Sequence, residues 1–138
     1  MIPNRLILEK TTFAIAGVMA IGTESTPTCA RERLFVDGVE IMPGESLALA
    51  NHSPNGFAWG YSGRGADQTA LAICLHIFRN ADVAKAIYQP FKATFVQQWP
   101  LAQPFNLEID IANFLLDHWS IVSQTYYLSH NPTDLYET

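Results

Sequence analysis

The 138-residue chain is about half hydrophobic (49%) and only 15% charged, with a net charge of −5. That length suits one domain with its own core, and that composition excludes a disordered chain. The eight basic residues are scattered rather than gathered into a stripe, which argues against the phosphate backbone of nucleic acid as a direct partner.

Arg5 and Lys10 precede the apolar run Phe13–Ile21, which resembles a secretory signal in outline. The run is too short to span a membrane, follows a charged Glu9-Lys10 pair and ends without a small-x-small cleavage site. It reads instead as two buried strands, Arg5–Glu9 and Thr12–Ala20, although Ala, Met and Gly in the second also tolerate a helix. Ser25–Arg31, polar and with Pro27, reads as a loop. Cys29 and Cys74 are the two cysteines, with no C-x-x-C spacing, so neither a disulfide framework nor a cysteine metal site is expected, and a reducing cytoplasm fits.

Asp37-Gly38 separates the apolar-alternating runs Arg33–Val36 and Val39–Met42 and predicts a two-residue hairpin. Ser46–Ala50 is a weak strand or a turn of helix, and Asn51–Gly56 is dense in turn formers. Phe57–Tyr61 is extended by pattern and runs through Gly60, Gly63 and Gly65 into a helix over Ala66–Phe78. That helix is apolar on nearly all sides, with a polar stripe at Thr69, His76, Arg79 and Asn80, so it is central. Asp82 is the expected cap of a second helix, traced on one face through Ala84, Tyr88, Phe91, Phe95 and Trp99, which Pro90 must kink or restart. Asn106 caps a third, with Leu107, Ile111, Phe114, Leu115 and Trp119 inward. The expected fold is α+β: a small antiparallel sheet (the N-terminal strands, the hairpin and Phe57–Tyr61) on a layer of about three helices. It forms a single domain over residues 1–125 with a C-terminal tail at 126–138.

The residues that could carry chemistry gather around the glycine-rich corner. Backbone N–H groups of Gly63, Arg64, Gly65 and Ala66 at a helix N-terminus, with the Arg64 guanidinium, suit an anion or phosphorylated ligand. A plain strand-to-helix turn with Arg64 in solvent uses the same residues. Trp59 and Tyr61 could stack on a base or sugar, or be core. His52 is a candidate base or ligand donor, but Ser53 beside it cannot be its nucleophile, and Asn51, Ser53 and Asn55 also suit loop capping. His52, His76, His118 and His130 show no metal-ligand spacing, and His76 reads as a hydrogen-bonded core histidine.

The run Asn51-His52-Ser53-Pro54-Asn55-Gly56-Phe57, then Trp59-Gly60-Tyr61-Ser62-Gly63-Arg64-Gly65-Ala66-Asp67-Gln68, then Tyr88 and Phe91-Lys92, resembles the family of unknown function DUF6166. The likeness covers roughly residues 33–116. It departs at Arg64, where the family usually has Ser, and at Ala66-Asp67, where it usually has Pro-Ala. Arg64 adds a cation at the helix N-terminus, whereas Asp67 adds an anion that would compete with a bound phosphate. The resemblance implies bacteria, phages and plasmids as context and supplies no chemistry. The leading expectation is a non-enzymatic cytoplasmic protein, with no cofactor and no membrane partner, capturing a phosphorylated small molecule or nucleotide at the corner. The alternatives are a host-inhibiting or anti-defence protein–protein module with no small-molecule site, and a hydrolase using His52.

Overall fold

The computed structural model describes residues 8–19, 32–54 and 56–130. Strands β1 (Thr12–Val18), β2 (Arg33–Val36), β3 (Val39–Ile41) and β4 (Phe105–Asp110) form one antiparallel sheet in the order β3-β2-β1-β4. Phe13, Ile15 and Gly17 of β1 share the buried face with Leu34, Val36 and Ile109, while Ala14, Asn106, Glu108 and Asp110 face out. One covered and one solvated face explain the period-two pattern. The Phe13–Ile21 run therefore begins as a central strand, and the Thr12–Ala20 reading is a strand rather than a helix. Glu9 and Lys10 lie outside any strand. Residues 5–7 of the expected first strand and the whole Ser25–Arg31 loop lie outside the described residues.

The hairpin forms as expected. Asp37 (φ 51°) and Gly38 (φ 81°) are both left-handed, as a type I′ turn requires. The Asp37 N–H donates to the Ala14 carbonyl at 2.7 Å, its Oδ1 accepts from the Ala14 N–H at 2.9 Å, and Lys10 Nζ lies 2.6 Å from Oδ2. The turn is thus fastened to β1 as well as closing β2 onto β3.

Two expectations are overturned together. Phe57–Tyr61 is not a strand: Gly60 turns left-handed (φ 86°) and its N–H goes to the Val96 carbonyl. The sheet position is taken by β4, expected as the first turns of a helix capped by Asn106. Phe105, Leu107, Ile109 and Ile111 satisfy a period of two, whereas Leu107, Ile111, Phe114 and Leu115 satisfy three-to-four spacing. The open edge of β1 decides for the strand, with Ile15 opposite Leu107 and Phe13 opposite Ile109.

Five helices supply the other layer: α1 (Gly44–Leu49), α2 (Arg64–Phe78), α3 (Ala81–Thr94), α4 (Ala112–Asp117) and α5 (Trp119–His130). Ser46–Ala50 thus lies largely within α1. Helix α2 is central, with Leu71, Cys74 and Phe78 buried as expected, while Leu75 is only half-buried. Asn80, not Asp82, caps α3, its Oδ1 accepting from the Val83 N–H at 3.0 Å. Helix α3 runs through Pro90 to Thr94; Phe95 and Trp99 fall beyond it, around a short 3-10 turn over Val96–Gln98. Asp110 Oδ1 accepts from the Ala112 N–H at 2.9 Å where β4 gives way to α4. Helix α5 crosses position 126, where the tail was expected to start, and ends at His130. No helix among the described residues is long and apolar enough to cross a membrane.

Candidate functional site

The glycine-rich corner is built as a buttress. Gly63 is the N-cap of α2, and no side chain among the described residues caps the first turn. Arg64 is exposed, whereas Gly65 and Ala66 are buried. Tyr61 curls back so that its ring lies directly over Gly63, leaving no room for a Cβ there. A Cβ on Gly65 would lie 2.6 Å from Ala58 Cβ and 3.0 Å from Tyr61 Oη. Ala58 therefore requires glycine at 65, whereas at Gly63 a Cβ would only push aside the half-exposed Tyr61 ring. Asp67 does not fold back onto the free N–H groups. It pairs with Lys92 Nζ at 2.8 Å and accepts from Gln89 Nε2 at 3.1 Å, tying α2 to α3.

Trp59 is core. It is 2% exposed, its Nε1–H donates to the Gln103 carbonyl at 2.8 Å, and Phe105 meets it edge-on at 5.0 Å between centroids. Its ring is not available for stacking on a ligand. Tyr61 remains 43% exposed. His52 sits at the other end of α2's first turns, half-buried, with Nε2 2.8 Å from the Tyr88 hydroxyl. Tyr88 and Lys92 are four residues apart on α3 and share one face. The structure thus brings His52, Tyr88, Asp67, Gln89 and Lys92 into a polar band between α2, α3 and the loop before Phe57. It leaves Arg64 outside that band.

Gln68, whose role sequence reasoning passed over, and Thr69, expected on the polar stripe of α2, organise this region. Gln68, fully buried, accepts from the N–H groups of His52 (2.8 Å) and Ser53 (3.1 Å) through Oε1. Its Nε2 donates to Ser46 Oγ (3.0 Å) and the Ala50 carbonyl (3.1 Å). Thr69, also buried, accepts from the Ala58 N–H at 3.0 Å, with its hydroxyl in reach of the Ala58 and Gly65 carbonyls. The available signal was a Gln-Thr pair inside an otherwise apolar run, since a buried amide must have partners.

Two concavities lie at the opposite end of α2. A groove of about 760 Å3 runs between β3, α1 and the last turns of α2, lined by Val39, Ile41, Met42, Leu75, His76 and Arg79. A second hollow of about 530 Å3 lies between Glu9-Lys10, Asp37 and the same His76 and Arg79. Val39 and Ile41 continue the buried face of the sheet, opposite Val36 and Leu34, but β3 overhangs the helices and Val39 is 55% exposed. In a two-residue hairpin Val36 and Val39 exchange ladder hydrogen bonds, so the next residue, Glu40, points its N–H and C=O to the free edge. Neither group has a backbone partner among the described residues.

His76, expected as a hydrogen-bonded core residue, is instead half-buried between the two hollows. Partial burial and the Arg79 charge hold its pKa below the ordinary imidazole value, against the pull of Asp37 and Glu45. Arg79 is exposed at the left-handed end of α2 (φ 54°) and makes no ion pair among the described residues. Burial pushes the Cys74 thiol well up, which leaves it unreactive. Among the described residues no group of three or more His, Cys, Asp or Glu side chains could hold a metal ion.

The model of the family of unknown function DUF6166 matches residues 26–120, and the chain belongs to that family. No curated protein and no solved structure matches it.

Proposed function

We propose that this is a non-enzymatic, cytoplasmic protein-interaction module that takes an extended segment of a partner protein along the free edge of β3. The observation that carries the reading is a partly covered strip of core-facing sheet. Val39 and Ile41 point to the helix side, yet Val39 is 55% exposed and Ile41 only half-buried, and among the described residues β3 has no neighbouring strand on its outer edge. A peptide strand added there gains main-chain hydrogen bonds at Glu40, and every second side chain enters the groove. The apolar flank of Val39, Ile41 and Leu75 asks for apolar side chains at those positions. Arg79, which has no ion-pair partner among the described residues, asks for a carboxylate beyond them. The bacterial, phage and plasmid context that the family resemblance implies points to a bacterial host protein as the source of such a segment.

Glu40→Pro tests this, with Glu40→Ala as the control for losing the Arg33–Glu40 ion pair. The Glu40 N–H faces away from β2, so proline removes no ladder bond while blocking the edge. Peptides selected on the full chain from a random display library should alternate apolar residues, carry an acid, and lose binding to Glu40→Pro and Arg79→Ala. Selected binders that tolerate both folded variants would defeat the proposal.

A second reading, anion capture at the start of α2, is favoured by one observation: the first turn has no side-chain cap and Asp67 is turned away to Lys92. Against it, Tyr61 already covers Gly63. Thermal shift with a nucleotide and phosphate-ester panel decides it, with Arg64→Ala as the variant that should abolish any shift.

A further inference from the structure

The groove beside β3 carries opposite charges at its two ends. Arg79 stands at the hairpin end: it also lines the second hollow with Val36 and Asp37, and Val36 is the cross-strand partner of Val39. Glu45 stands at the other end, in the first turn of α1, which begins shortly after Ile41. Among the described residues neither side chain forms an ion pair. The neighbouring charges are engaged or lie elsewhere. Lys10 pairs with Asp37 and Glu40 with Arg33, while Glu9 lines the second hollow and not the groove. Partial burial and the Arg79 charge lower the pKa of His76, so it is uncharged at neutral pH. That leaves Arg79 as the cation of the groove and Glu45 as its anion.

The edge itself favours one direction. Within Val39–Ile41 only Glu40 turns both its N–H and its C=O outward. In an antiparallel pair a single partner residue exchanges both bonds with it, whereas a parallel pair needs two residues and slanted bonds. Resting on the reading that β3 takes an extended segment, we infer that this segment runs antiparallel to β3 with a basic residue three positions before, and an acidic residue three positions after, the one opposite Glu40. The residues on either side of that central one stand opposite Ile41 and Val39, and apolar side chains there enter the groove. Side chains alternate between faces, so the basic and acidic residues, two positions further out, lie on the groove face as well. In the antiparallel direction the earlier one reaches Glu45 and the later one Arg79. The central residue lies on the outer face beside Glu40 and Arg33, where a small polar side chain suffices. The opposite order sets like charges against each other at both ends.

Two capped, fluorescent peptides test this on the full chain by anisotropy at low salt, with protein up to about 1 mM. One is Lys-Thr-Val-Thr-Val-Thr-Glu and the other its reverse, Glu-Thr-Val-Thr-Val-Thr-Lys. They share composition and groove-facing valines and differ only in the order of charge. The Lys-first peptide should bind about 10-fold tighter, because two exposed pairs turn from attraction to repulsion in the other. The gap should narrow at about 0.5 M salt. In the Glu45→Lys, Arg79→Glu double variant the preference should reverse. Both side chains are exposed, so circular dichroism should stay unchanged. Glu40→Pro should abolish binding of both peptides and Glu40→Ala should not. Equal affinities, or a tighter Glu-first peptide, with binding still lost in Glu40→Pro, would overturn this inference and leave the β3 reading in place. Binding that survives Glu40→Pro, or no binding of either peptide, would overturn both. Should the double variant misfold, the two peptides compared on the native chain still decide.

Discussion

Gln68→Leu is the substitution that most directly tests how the loop before Phe57 is held. Gln68 is fully buried and makes four side-chain hydrogen bonds, to the His52 and Ser53 N–H groups, the Ala50 carbonyl and Ser46 Oγ. Leucine fits the volume but removes all four. Ser46 keeps its bond to the Pro43 carbonyl, so three backbone groups are orphaned. Half-buried orphans cost about 1–2 kcal/mol each, roughly 3–6 kcal/mol together. Burying an apolar side chain in place of an amide offsets about 1–2 kcal/mol. The net loss should be about 2–4 kcal/mol, which for a chain of this size lowers the melting temperature by roughly 10 °C. Urea denaturation followed by circular dichroism measures it.

Gln68→Glu supplies an internal control with a sign. One carboxylate oxygen can still accept from His52 and Ser53, but the other faces the Ala50 carbonyl unless it is protonated. The folded-state pKa of the introduced Glu should therefore lie above its unfolded value. Its penalty is then smallest below about pH 4.3 and grows as pH rises through the folded pKa. A Gln68→Leu protein within about 0.5 kcal/mol of the native chain would refute the reasoning, because that is the scatter of ordinary surface changes.

Leu71→Ala, at a fully buried position in α2, should cost about 2–5 kcal/mol in the same assay. Gly38→Ala and Gly60→Ala should differ although both residues are left-handed. Gly38 has open space around it and should lose about 1 kcal/mol, whereas a Cβ on Gly60 would lie 2.5 Å from Leu101 Cα and should cost about 3 kcal/mol or more. His76 should titrate by NMR below the ordinary imidazole value of about 6.5. Its folded pKa is depressed, so its stability contribution is complete above the unfolded pKa and is lost as pH falls toward the folded one. His76→Gln should flatten that part of the stability profile. Arg64→Ala should leave the melting temperature of the free protein nearly unchanged, since an exposed Arg contributes little.

Local rules were enough wherever a residue's conformation answers to its near neighbours. The Asp37-Gly38 turn needs two left-handed residues, and that requirement is written in the dipeptide. Helix α2 is apolar over several consecutive turns, so no arrangement leaves Leu71 or Cys74 in water. The family is likewise legible in the aromatic-glycine run. What the chain could not declare locally was decided by pairing and closure. Residues 105–111 fit both a strand and a helix start, and only the unpaired edge of β1 selects the strand. Phe57–Tyr61 has a strand's composition, but Gly60 turns left-handed against Leu101 and the Thr69 hydroxyl takes the Ala58 N–H, which removes it from the sheet. The glycines at 63 and 65 looked like a ligand cradle; the ring that occupies them, Tyr61, is two residues from the first, and only the fold of the loop puts it there. The β3 groove belongs wholly to tertiary structure. Val39 and Ile41 alternate as core residues do, and it is the reach of the helices that covers Ile41 only in part and stops short of Val39.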